Sequence, residues 1–92
     1  MSGTLMMSQK QIAIIRAIMR GNAEGDFVDL DELLKLLPYT TTKQSLQFSI
    51  RALIKHGLIE KRPREVRRGR ARRVLAPTLL AYRLMGEGIP GT

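Results

Sequence analysis

Between residues 43 and 73 the chain carries eleven of its sixteen Lys and Arg side chains and only two acids, Glu60 and Glu65, a local charge of +9. Residues 1–42 sum to −1 and residues 74–92 to zero, so the net charge of +8 resides in this one stretch. Clustered ammonium and guanidinium groups raise the local potential and release condensed counterions when they meet phosphates, which points to a polyanionic partner. Two subsets differ in kind. Lys43, Gln44, Ser45, Gln47, Phe48, Arg51 and Lys55 mix amide, hydroxyl and cationic groups, the types that bond base edges and phosphates. Arg62, Arg64, Arg67, Arg68, Arg70, Arg72 and Arg73 belong to a run in which eight of thirteen residues, Lys61 to Arg73, are basic.

Catalytic chemistry has little to work with. There is no Cys and one His, so thiolate zinc sites, cysteine nucleophiles and histidine triads are excluded or nearly so. A small nuclease needs acids clustered beside the basic surface, whereas five of the eight acids lie between Glu24 and Glu32. Asp26, Asp29, Asp31 and Glu32 could be read as a divalent-metal cluster, but caps and first-turn acids that favour the helix dipole account for them better. The expectation is no enzyme, no cofactor and no metal. His56 could act as a pH sensor or ligand; at a helix C-terminus the dipole alone favours it. No secretory signal or bilayer-crossing run is evident, which makes the cytoplasm, in association with the nucleoid, the expected compartment.

Helix-start and helix-stop signals say which elements carry these residues. Ser8 to Gln11 fits a capping box, and Ile12, Ile15, Ile18 and Met19 define a first helix, Gln9 to Arg20, stopped by Gly21. A very short strand is expected at Phe27-Val28. Asp29 and Glu32 repeat the box, with Val28 against Leu33 as staple, before a second helix that turns Leu30, Leu33, Leu34 and Leu37 inward and ends at Pro38. The third helix runs from about Thr42 to His56, with Leu46, Ile50, Leu53 and Ile54 inward. Its outward face has no acid, although solubility alone would mix both signs. Phe48 there admits two readings, an exposed aromatic against thymine methyl groups or a side chain tucked into the core edge.

Gly57 ends that helix and Leu58-Ile59 restarts the chain as a strand that Pro63 confines to an edge. Arg67-Arg68-Gly69-Arg70 is the expected hairpin tip, with Gly69 at positive φ, and Val74-Leu75 the return toward Pro77. A disordered basic tail is the alternative, opposed by the strand-forming residues on both flanks. Thr78 caps a last short helix, Leu79 to Met85, which shows Leu80, Leu84 and Tyr82 to the core or to a second subunit. The fold class is mainly α with a small β-hairpin (α+β). Residues 1–7 form an arm, 8–85 one domain and 86–92 a fraying tail.

The succession of helix, short strand, helix, helix, basic hairpin and helix resembles the winged helix-turn-helix. Leu53-Ile54-Lys55-His56-Gly57-Leu58-Ile59-Glu60-Lys61-Arg62 is similar to the end of the reading helix in MarR-like and related prokaryotic transcriptional regulators, and Leu75-Ala76-Pro77-Thr78 looks like their post-wing strand. The resemblance spans Ser8 to about Met85. It departs at the ends, which lack that family's long dimerisation helices, and in the wing, where Arg67-Arg68-Gly69-Arg70 stands in place of an Asp-Arg pair.

The resemblance implies sequence-specific binding of double-stranded DNA. The third helix would lie in a major groove with Gln44, Ser45, Gln47 and Arg51 at base edges and Thr42 and Lys43 at phosphates. Arg67, Arg68 and Arg70 would reach the neighbouring minor groove, and Arg62, Arg64, Arg72 and Arg73 the flanking phosphates. A non-specific architectural or replication-associated DNA binder, and an RNA-binding or protein-docking module of the same fold, are the alternatives. Small size and an apolar last helix suggest a homodimer through the N- and C-terminal segments.

Overall fold

The computed structural model describes residues 8–86. Helix α1, Gln9–Arg20, begins where the sequence signals it: the Ser8 hydroxyl accepts from the Gln11 amide at 3.1 Å and the Ser8 amide donates to Gln11 Oε1 at 3.0 Å. It stops at Gly21, whose φ of 79° and ψ of −172° suit glycine, and where a Cβ would stand 2.7 Å from the Asp26 carbonyl oxygen. The Asn22 side-chain oxygen accepts from the Glu24 and Asp26 amides and closes the connection. Strand β1 is Val28–Asp29, one residue later than expected, with Phe27 left 43% exposed.

Helix α2, Leu30–Leu36, starts from a second capping box: Asp29 Oδ1 accepts from the Glu32 amide and Glu32 Oε1 from the Asp29 amide. Leu37 is already extended because Pro38 excludes the helical region for the residue before it. Helix α3, Lys43–Lys55, is capped by the Thr42 hydroxyl, which accepts from the Ser45 amide at 3.1 Å. His56 occupies its C-cap and Gly57 follows at a φ of 79°.

Five short strands among the described residues complete the frame. β2 (Ile59–Lys61) and β1 flank β5 (Val74–Pro77) in an antiparallel sheet of order β1-β5-β2, with Val28 opposite Leu75 and Glu60 opposite Ala76. β3 (Glu65–Arg67) and β4 (Arg70–Arg72) form a separate two-stranded ladder joined by Arg68-Gly69. The basic run is thus folded, and it contains strands of its own. Both turn residues have positive φ, 53° and 77°, as a two-residue hairpin turn demands. Between the ladders lie Arg62-Pro63-Arg64 on one side and Arg73 alone on the other, so the pairing is interrupted.

Helix α4, Leu79–Leu84, is capped by Thr78, whose hydroxyl also donates to the Gly57 carbonyl at 2.6 Å and ties α4 to the end of α3. The chain is therefore a small α+β protein, with four helices and antiparallel strands among the described residues. The expected arm, 1–7, and all of the expected tail but Gly86 lie outside those residues.

The core joins Ile14, Ile15 and Ile18 of α1 to Leu33, Leu46, Leu53, Leu58, Ile59 and Leu75. In α1 the buried set differs from the expected stripe: Ile14 and Ala17 are buried, while Ile12 and Met19 are only half-buried. The reason is that α1 packs against both β5 and α2, which widens the sector it must cover. Leu79, Leu80 and Leu84 of α4 remain 51%, 42% and 47% exposed, whereas Ala81 faces inward at 0%.

Candidate nucleic-acid interface

The inner stripe of α3, Leu46, Ile50 and Leu53, anchors that helix in the core and thereby fixes which side it shows. Thr42, Lys43, Gln44, Ser45, Gln47, Phe48, Arg51 and Lys55 are all exposed. Of the two readings for Phe48 the structure takes the outward one, with the side chain 74% exposed. The Thr42 hydroxyl accepts from the Ser45 amide as a cap, and its own proton can still be donated to an outside acceptor.

Gln47 and Arg51 also border an open cleft of about 300 Å³ shared with Lys61, Arg64 and Arg73. Leu30, Ile50, Ile54 and Leu75 contribute its apolar lining. The base of the arginine-rich hairpin and the outward face of α3 are therefore parts of one surface. Lys61 carries only a modest signal in the sequence, as the last residue of an edge strand two positions before Pro63.

The tip of the hairpin is organised differently. Glu65, Arg67, Arg70 and Arg72 share one face of the β3–β4 ladder, and Val66 and Ala71 share the other. The first face turns toward the start of α2. Arg67 donates to Glu32 at 2.7 Å, to Glu65 at 3.0 Å and to the Phe27 carbonyl at 2.8 Å, and its side chain is 15% exposed. Arg68 pairs with Asp29 at 2.6 Å and approaches Glu32 at 3.8 Å. Arg72 pairs with Asp31, whose other oxygen holds Lys43 at 3.2 Å. Val66 points away from these contacts and is 78% exposed.

These pairs change what the arginines can offer. From the sequence, Arg67, Arg68 and Arg72 were expected to carry free charge to a duplex; in the structure each faces an acid of α2. The cause is long-range: Asp29 caps α2 and Asp31 and Glu32 lie in its first turn, and the hairpin tip is brought over that end. The acids keep the capping and dipole roles expected of them and gain cationic partners. Arg62 lies 3.6 Å from Glu60 and 5.8 Å from the centre of the Phe27 ring, with its side chain half-exposed. Arg51, Lys55, Lys61, Arg64, Arg70 and Arg73 have no ion-pair partner among the described residues.

Electrostatics follow the geometry. Burial pushes the Asp29 carboxyl up, but the Glu32 amide and the Arg68 guanidinium outweigh it and hold the group below its ordinary 3.8. Lys43 holds Asp31 below 3.8 as well, with a smaller contribution from Arg72. Burial works against the charge of Arg67, and Glu65 and Glu32 more than offset it, so that guanidinium is held more firmly protonated. Among the described residues no group of three or more His, Asp or Glu side chains is placed to hold a metal ion, and no helix is long and apolar enough to cross a membrane. Searches by sequence found no protein-family model and no curated protein that matches this chain.

Proposed function

We propose that this chain is a winged helix-turn-helix protein that binds double-stranded DNA at particular sequences, the activity of a transcriptional regulator. One observation carries the reading: the acid-free face of α3 and the free cations at the base of the hairpin border the same cleft. A major groove admits an α-helix, and its walls are rows of phosphates. In this reading α3 lies in the groove, with Gln44, Ser45, Gln47 and Arg51 toward base edges. Lys55, Lys61, Arg64 and Arg73 meet the flanking backbone, and Arg70 extends the contact at the tip. Arg67, Arg68 and Arg72 hold the hairpin against α2 and set its angle. Two copies joined through their terminal segments would read a two-fold symmetric site, and the exposed leucines of α4 support that arrangement.

The test is the salt dependence of binding to a 24-base-pair duplex. Five unpaired cations at phosphates, Lys55, Lys61, Arg64, Arg70 and Arg73, correspond to a slope of about −4.5 in log K against log salt, since each contributes roughly 0.9. A slope shallower than about −2 would remove this surface from any role on DNA.

A further inference from the structure

We infer that Phe48 reads the 5-methyl group of thymine, which makes it a specificity-determining residue of this surface. The inference rests on the DNA-binding reading above and adds to it a named chemical group. Phe48 is 74% exposed in the middle of α3, although the chain has only two phenylalanines and aromatics make up 4% of its residues. The other, Phe27, has the Arg62 guanidinium 5.8 Å from its ring centre, a partner that Phe48 lacks among the described residues. The surroundings of Phe48 are polar: with Gln44, Ser45, Gln47 and Arg51 it lines an open depression of about 430 Å³.

An apolar ring amid hydrogen-bonding groups calls for a partner surface that is polar with an apolar point in it. Base edges in the major groove offer donors and acceptors almost throughout, and the thymine methyl is the apolar group among them. Gln44, Gln47 and Arg51 supply the hydrogen bonds, and Phe48 covers the methyl. Withdrawing one methyl group from water is worth about fourfold in affinity. The same contact disfavours any duplex that carries uracil in place of thymine.

The experiment compares two 24-base-pair duplexes of A·T pairs, identical except that every thymine is replaced by deoxyuridine in the second. Both are titrated by fluorescence anisotropy with the full chain and with Phe48→Ala, whose exposed position leaves the core intact, as circular dichroism and thermal melting would verify. The full chain should prefer the thymine duplex by about fourfold or more, and Phe48→Ala should bind both alike. Equal binding of the two duplexes by the full chain would overturn the role of Phe48 and leave DNA binding standing. A thymine preference that survives in Phe48→Ala would also overturn it. Failure to bind either duplex at low salt would overturn the underlying reading and this inference with it.

Discussion

Asp31 holds two cations at once, Lys43 at 3.2 Å through one oxygen and Arg72 through the other. Replacing it by Asn keeps the shape and removes the charge, which should free both cations for phosphates. The helical core should tolerate the change, while the hairpin loses the charge of one of its three ties to the start of α2. Asp31 is 32% exposed and Lys43 52%, so solvent screening leaves the Lys43 pair worth about 0–1 kcal/mol. Loss of a first-turn acid costs about 0.3–1 kcal/mol more. The effect on binding should be larger and should depend on salt. Two added phosphate contacts steepen the slope from about −4.5 to about −6.3. Between 200 and 50 mM salt, each contact changes affinity by roughly 3.5-fold. The advantage of Asp31→Asn over the unmodified chain should therefore grow about tenfold across that range. Anisotropy titrations on one duplex at several salt concentrations, with melting curves for both proteins, would measure it. An unchanged slope in a protein that melts normally would refute the reasoning, because neither freed cation would then reach a phosphate.

Other expectations separate orientation from contact and base reading from backbone attraction. Arg68→Asn, which retains a residue suited to positive φ, should lower the urea midpoint by leaving Asp29 without its guanidinium and change the salt slope little. Arg70→Ala should do the reverse, with normal stability and a slope shallower by about 0.9. Gln47→Ala and Arg51→Ala should each cost about 1–3 kcal/mol at particular base pairs of a selected site, measured against single-pair variants of that site; equal losses on all variants would mean that α3 does not read bases. Asp29 and Asp31 have folded pKa values below 3.8, so their stabilising contribution is complete above that pH and is lost as pH falls through the lower folded values. Urea unfolding from pH 6 to pH 2 should show that loss, and it should be smaller in Asp29→Asn, which retains the cap.

Much of the fold was legible because its signals are local. Ser8, Asp29, Thr42 and Thr78 cap the four helices as their sequence contexts indicate, and Gly21, Pro38 and Gly57 mark stops through backbone geometry that neighbouring residues cannot override. The outward face of α3 was legible for the same reason, since Leu46, Ile50 and Leu53 fix its phase. The partners of the arginines were not. Arg67 and Glu32 are 35 positions apart, as are Arg72 and Asp31 41 apart, and nothing in either segment names the other. Burial of Ile14 and Ala17 likewise depends on packing against β5 and α2, not on periodicity within α1. The helical repeat sets Phe48 opposite Leu46 and Leu53; its two readings stayed open because a small domain with 4% aromatics has reason to tuck one into the edge of its core.

The break between the two strand ladders has a consequence for how such a surface could diversify. Where Arg62-Pro63-Arg64 faces Arg73 the strand pairing lapses, and Asp29, Asp31 and Glu32 at the start of α2 hold the β3–β4 ladder through Arg68, Arg72 and Arg67. The arginine fingertip is steered from a separate segment of polypeptide. Under the DNA-binding proposal, a few replacements among Asp29, Asp31 and Glu32 would re-aim it along the duplex while every residue of α3 stayed the same.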